Sequence, residues 1–237
     1  ELNASAVYIG EGVRLKADAL EAGDGGRVIV WSDRSTRYLG SISARGGLAQ
    51  GNGGFAEVSG KTFLEFEGQV DLSANAVGGL AGTVLLDPTN VTITAAVASD
   101  NPPAPGAPIG VTQPFVASAA TSTVRWSQIN NTLATTDVVI TTTNAGASEA
   151  GNITVEANSP TLNRARSLTL QAEGSVLVNG TINNSGTGAL TLSSGAAVRT
   201  TQAINVAGAI TMRSGNSSVN VPTNPPSPGI TLGAAVT

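Results

Sequence analysis

Six glycines recur at one fixed step, at Gly12, Gly26, Gly40, Gly54, Gly68 and Gly82. The text around them repeats at twice that step. Gly40-Ser-Ile-Ser-Ala returns as Gly68-Gln-Val-Asp-Leu-Ser-Ala, and Gly25-Gly26-Arg-Val-Ile-Val returns as Gly53-Gly54-Phe-Ala-Glu-Val. A period of this length marks a solenoid, in which each coil buries its apolar edge only by stacking on a neighbour. The glycines fall just before each expected strand, where a corner needs unusual backbone angles or a close approach of the next coil.

Aligned at 28 residues, Val28, Ala56 and Val84 share one column and Val30, Val58 and Leu86 another, with Ile29, Glu57 and Leu85 between them. Two apolar columns flanking a mixed one are what stacked parallel strands present to a common core. A second edge aligns Ile42 with Val70 and Ala44 with Leu72. In the first coil Val13 and Leu15 sit one position out of register, with Arg14 and Lys16 in the apolar columns. Either a bulge shifts that strand or the first coil is irregular.

The pattern divides the chain into three stretches: coils of 28 residues over 1–94, a Pro-rich excursion or linker over 95–123, and residues 124–237. Pro102, Pro103, Pro105, Pro108 and Pro114 exclude a regular ladder strand from the middle stretch. In the third, Trp126, Ile129 and Leu133 have helical spacing after Ser127, a candidate N-cap. Alternating strands are expected at Val138–Ile140, Ile153–Val155, Leu168–Leu170, Leu190–Leu192 and Ile210–Met212. The last three recur at steps of about 20–22 residues, a shorter coil near the lower end of solenoid periods. Val176, Val178, Ile182, Val198, Ile204 and Val206 supply the other edges. After a second Pro-rich break (Pro222, Pro225, Pro226, Pro228), Ile230-Thr-Leu232 reads as one more strand. The expected architecture is all-β: one continuous parallel solenoid of about eight to nine coils, with an inserted loop and a short helix.

Composition fits this plan and narrows the chemistry. Aromatics are 3% of residues, so the core is built from Val, Ile, Leu and Ala, which suit a narrow strand-lined interior. Charged residues are 12%, and 18 of the 28 lie in residues 1–94. A net charge of −4 gives no nucleic-acid footprint. No apolar run is long enough to span a bilayer, Glu1 opens no signal peptide, and the chain reads as an internal piece of something longer. Histidine and cysteine are both absent, which removes the commonest general acid/base, the commonest metal ligand and every Ser/Cys–His dyad. No cofactor or metal site is expected.

Candidate sites are few. Trp31, Arg34, Arg37 and Tyr38 form an aromatic–basic cluster that could stack sugars or bind sulfated glycans; the plainer reading is a corner where arginine stems cover a ring. Asp24, Asp33, Glu57, Glu65, Glu67 and Asp71 are the acids available for lyase or hydrolase chemistry. Glu65 and Glu67 point the same way, but one coil back they meet Arg37 and Leu39, so no cluster of three carboxylates forms. Asp87-Pro88 reads as a turn that ends the first ladder. Thr169, Thr191 and Thr211 form one outward column, short of the two-dimensional threonine array that ice binding needs. Asn-x-Ser/Thr sequons stand at Asn3, Asn90, Asn130, Asn152, Asn179, Asn183 and Asn216.

Several segments, in order, resemble a known family: Ala17-Asp-Ala, Gly23-Asp-Gly-Gly-Arg-Val-Ile-Val-Trp-Ser-Asp33, Ser41-Ile-Ser-Ala-Arg-Gly-Gly47, Gly53-Gly-Phe-Ala-Glu-Val-Ser-Gly60 and Gly82-Thr-Val-Leu-Leu-Asp-Pro88. They are similar to the filamentous haemagglutinin-like exoproteins, large adhesins of Gram-negative bacteria exported by two-partner secretion. The resemblance covers residues 1–94 closely and 124–215 loosely. It implies a right-handed parallel β-helix and secretion to the bacterial cell surface through an outer-membrane two-partner secretion transporter. The family's N-terminal secretion domain has no match here, so the chain resembles an internal shaft segment. The expected function is a structural and adhesive, non-enzymatic shaft, with a host-cell or glycan receptor as a partner of the parent protein. A polysaccharide-binding or polysaccharide-active β-helix is the alternative. The glycines are expected at coil corners and in no active site.

Overall fold

In the computed structural model, residues 3–95, 121–143, 150–215 and 230–231 are described. Residues 96–120 of the Pro-rich excursion, the second Pro-rich break, Asn216 and Leu232 lie outside the described residues. In chain order the elements are β1 (Ala6–Ile9) and β2 (Arg14–Lys16); β3 (Arg27–Ser32), β4 (Ser35–Tyr38) and β5 (Ser41–Ser43); β6 (Phe55–Gly60), β7 (Phe63–Phe66) and β8 (Gln69–Asp71); β9 (Thr83–Leu86), β10 (Val91–Thr94), β11 (Ser122–Arg125) and α1 (Trp126–Thr132). They continue as β12 (Asp137–Thr142) and β13 (Ile153–Val155); β14 (Leu168–Ala172), β15 (Val176–Val178) and β16 (Ile182–Asn184); β17 (Leu190–Ser194), β18 (Val198–Thr200) and β19 (Ile204–Val206); and β20 (Ile210–Ser214) and β21 (Ile230–Thr231).

The fold is all-β and parallel with one helix. Sheet I runs β3-β6-β9-β12-β14-β17-β20-β21, and sheet II runs β1-β4-β7-β11-β10-β13-β15-β18. The third side carries β2-β5-β8 and, farther along, β16-β19. From β3 to β8 the chain visits sheet I, sheet II and the third side in turn, and it does so again from β14 to β19. Each set of three strands is called a tier below.

The long repeat of the sequence is the register itself. Val28 pairs with Ala56 and Ala56 with Val84 on sheet I, Thr36 with Leu64 on sheet II, and Ile42 with Val70 on the third side. Inward columns are shielded from water and outward columns are not: β9 and β12 alternate half-buried and buried along their length. Every tier adds to one continuous apolar cluster running from Val30 to Met212. Burial of each branched side chain contributes on the order of 1.5–3 kcal/mol.

The first tier resolves the register question. Leu15 pairs with Ile42, and Tyr8 pairs with Arg37, so the strands are in step and the corner between them is longer. Residues 10–13 join β1 to β2, whereas only 39–40 join β4 to β5. Gly12 supplies the left-handed turn, with φ +81°. The irregularity is therefore a turn, not a bulge.

The middle of the chain departs further from expectation. The stretch expected to be loop through residue 123 becomes strand at Ser122. That strand, β11, inserts between β7 and β10 although β10 comes earlier in the chain. All four residues of β11 pair with β10, but only Thr123 pairs with Glu65 of β7. A side-chain oxygen completes the seam: the Leu64 N–H donates to Ser122 Oγ at 2.9 Å. Helix α1 then occupies the third side beyond β8, where the Leu72 N–H donates to Thr136 Oγ1 at 2.9 Å. Hydroxyls thus accept where the ladder has no carbonyl to offer, so the buried N–H groups stay satisfied. The helix begins after Arg125, which makes no side-chain capping bond, and Ser127 lies inside it. Trp126, Ile129 and Leu133 are buried as the spacing indicates, and Trp126 Nε1 donates to the Ala157 carbonyl at 2.8 Å.

Candidate functional site

The aromatic–basic cluster is taken apart by the strand period. Successive residues on β4 face opposite sides, so Tyr38 points into the core and is 0% exposed. Its ring stacks on Phe66 at 5.5 Å and 18°, and its hydroxyl donates to the Gln69 carbonyl at 2.5 Å. Burial pushes the phenol well above its ordinary value. Arg37 lies on the outward side of sheet II but is itself buried, with Nε 2.6 Å from the Glu65 carboxylate. Trp31 is half-buried on the outer face of sheet I, and Arg34 is exposed at the corner between β3 and β4. The four residues therefore do not form one exposed cluster. Tyr38 and Arg37 are corrected from glycan-binding candidates to structural residues.

Several acids likewise join tiers, although Asp71 accepts from the Ser73 N–H of its own turn at 3.1 Å. Glu67 accepts from Arg125 Nε through Oε1 at 2.8 Å, and its Oε2 meets both Gln128 Nε2, at 3.0 Å, and the Arg125 Nη2, so it clasps β7 to β11 and α1. Asp87 accepts from Thr141 Oγ1 at 2.7 Å and Thr143 Oγ1 at 2.9 Å, rather than bonding its own turn. Asp18 is bound to the next tier by the Arg45 backbone N–H at 2.8 Å, by Arg45 Nη2 at 3.1 Å and by the Ser43 hydroxyl. Burial alone would raise its pKa, but these bonds and the Arg45 charge outweigh it and hold Asp18 at about 2 against an ordinary 3.8.

Asparagines do similar work. Asn90 Oδ1 accepts from the Asn152 N–H, Asn152 Oδ1 from the Ser175 N–H, and Asn183 Oδ1 from Asn205 Nδ2. Asn130 Oδ1 accepts from Arg164 Nε at 2.8 Å. Four sequon residues are thus rungs between neighbouring segments; Asn179, though exposed, accepts from Thr201 Oγ1 at 3.4 Å, and Asn3 is exposed. The outward threonine column exists as expected: Thr169 pairs with Thr191 and Thr191 with Thr211.

The glycine corner, between the third side and sheet I, is where a site takes shape. Gly26, Gly54 and Gly82 stack there. A Cβ on Gly54 would collide with the Gly26 carbonyl, and one on Gly82 with the Gly54 carbonyl. Gly40 and Gly68 stack in the same way at the opposite corner, where a Cβ on Gly40 would come within 2.7 Å of the Val13 carbonyl. Close approach, not a positive φ, fixes these five positions; Gly12 alone of the six has the left-handed backbone.

Because the floor is glycine apart from Ala81, the glycine corner is a trough of about 590 Å³. One wall is Asp24, Asn52 and Leu80, tied together as the Asn52 N–H donates to Asp24 Oδ1 at 2.7 Å and the Leu80 N–H to Asn52 Oδ1 at 2.9 Å. The other wall is Arg27, Phe55 and Thr83, with the Arg27 guanidinium 4.7 Å from the centre of the Phe55 ring. A second groove of about 490 Å³ follows the Asn183–Asn205 rung farther along the third side. Among the described residues no three acids, histidines or cysteines gather as a metal would require, and no helix is long and apolar enough to cross a membrane. The class defined so far is an all-β parallel repeat protein in which several charged groups hold tiers together. No protein-family model matches this sequence, and no curated protein matches it significantly.

Proposed function

We propose that this chain is a structural and adhesive shaft segment of a large secreted bacterial surface exoprotein of the filamentous haemagglutinin-like kind. Its walls close into a right-handed parallel β-helix of eight to nine coils, which extends the parent protein from the cell. The observation that carries this reading is the parallel register of sheet I, which runs from β3 to β21 and stacks apolar residues such as Val30 on Val58 and Leu168 on Leu190 in its inward columns. The ion pairs support it, since Arg37–Glu65, Asp18–Arg45 and Glu67–Arg125 each join neighbouring strands or tiers and leave those groups committed to structure. The parent reaches the surface through an outer-membrane two-partner secretion transporter, and its adhesive partner is a host-cell or glycan receptor. The segment performs no catalysis.

The test is to insert a second copy of residues 55–82, one full tier, after Gly82. A shaft accepts the insert, keeps one cooperative melt and lengthens by about 4.8 Å in small-angle scattering. Collapse or aggregation of the insert would count against it. So would turnover of pectin, alginate or a glycosaminoglycan that disappears in Glu65→Gln. Glycan-array binding that is lost in Trp31→Ala would move the reading to a polysaccharide-binding module.

A further inference from the structure

Beside the trough stands a ridge of exposed apolar side chains. Leu20 is 81% exposed, Leu48 69% and Val77 107%. They sit on successive corner loops that stack as the walls do: the Leu48 N–H donates to the Leu20 carbonyl at 3.1 Å, Ala22 pairs with Gln50, and Asn75 Nδ2 donates to the Gly46 carbonyl at 2.6 Å. Leu80, 70% exposed, carries the apolar surface onto the trough wall. Apolar groups gathered like this on an otherwise polar surface mark an interface.

We propose that this corner is a contact between two copies of the chain, lying side by side and pointing the same way, with the ridge of each in the trough of the other. Three observations select a second copy. First, ridge and trough both rise one tier at a time, so each loop tip of one copy meets one rung of a floor with the same spacing. Second, the two features adjoin on one surface, as a two-fold contact requires, because the same patch must supply both the knob and the hole. Third, the charges complement. Glu21 flanks Leu20 on the ridge, and Arg27 stands on the far wall of the trough, both exposed. A two-fold axis along the stack sets each tier against its own equivalent and brings Glu21 of one copy to Arg27 of the other. An antiparallel contact would set Arg27 against Val77. Of the other acids at this corner, Asp24 already gives one oxygen to the Asn52 N–H and Asp18 is paired with Arg45.

Four apolar side chains per copy make an interface at the small end of the usual range, so the dimer is weak and depends on concentration. Sedimentation velocity from about 1 µM to 1 mM reads it directly, with circular dichroism and melting to check that each variant folds. The chain should pass from monomer to dimer across that range. Leu48→Glu should hold it monomeric with its melt unchanged, and Leu20→Glu is a second test should Leu48→Glu fold poorly. Glu21→Arg and Arg27→Glu should each weaken the dimer about tenfold, the size of a complementary charge contact, and together they should restore it. A chain that stays monomeric throughout overturns the proposal. So does self-association that both Glu variants leave intact, or a double charge swap no better than the single ones.

Discussion

From β3 to β9 each return to sheet I takes the full long repeat, as the pairing of Val28 with Ala56 and of Ala56 with Val84 shows. From β14 to β20 the return is shorter and less regular, from Leu168 to Leu190 to Ile210. The walls differ little between the two regions. Almost all of the difference lies at one corner, the one before sheet I, which is residues 44–54 and 72–82 in the first region and 185–189 and 207–209 in the second. Stacked walls impose the fold in both, and that corner is free to grow or shrink. The long corner carries the leucine ridge and the glycine-floored trough; the short corner retains the stacking glycines, since a Cβ on Gly208 would meet the Gly188 carbonyl.

The sharpest way to break this comparison is Gly54→Val. It forces side-chain atoms into the backbone of the tier beneath and should destabilise the chain by about 3 kcal/mol or more, read by denaturant midpoint. Gly208→Val should cost a similar amount if both regions rest on the same close approach. A much milder Gly208→Val would show that the short-pitch region tolerates wider spacing. Next in size is Glu67→Gln, which removes the charge that clasps β7 to β11 and α1 and should cost about 1–2 kcal/mol. It should also make unfolding of the two regions less cooperative, visible as separate transitions by tryptophan fluorescence and circular dichroism. Lengthening the 207–209 corner with a short Gly/Ser insert should cost only about 1 kcal/mol, the entropy of a longer loop, with strand content unchanged. Loss of strands in that variant would sink the claim that walls rather than corners set the fold.

The smallest effect concerns Asp18. Its pKa is lower folded than unfolded, so its contribution is fully present above about pH 4 and fades as pH falls through about 2. Melting temperatures of the native chain and Asp18→Asn should therefore differ modestly at neutral pH and converge between about pH 4 and 2.

What the sequence made legible was whatever repeats in place. Val28, Ala56 and Val84 announce a column because the same wall needs the same kind of side chain each time, and Thr169, Thr191 and Thr211 do so on the outer face. The insertion of β11 gave no such signal: Thr123 meets Glu65 at a separation along the chain that no other strand pair shares. The same holds for Ser122 and Thr136, whose hydroxyls substitute for carbonyls only because of that insertion. The aromatic–basic cluster failed for another reason. Nearness along the chain is not nearness in space, and on a strand the alternation that sends Arg37 outward sends Tyr38 inward. The loop leucines had no periodic signature beyond Leu20 and Leu48, and only their exposure marks them as a surface.

The exchanged order of β10 and β11 bears on how the molecule is assembled. A stack that lays down each strand on the one before grows from its first tier as chain emerges, every new strand finding its template ready. That process halts at β10, which is synthesised before the strand that must separate it from β7 exists. Until residue 122 arrives, β10 either waits with an open edge or settles against β7 in a pairing that must later be broken. Assembly of this chain is therefore stepwise on both sides of the insertion and concerted across it, and that junction is where a kinetic pause in folding belongs.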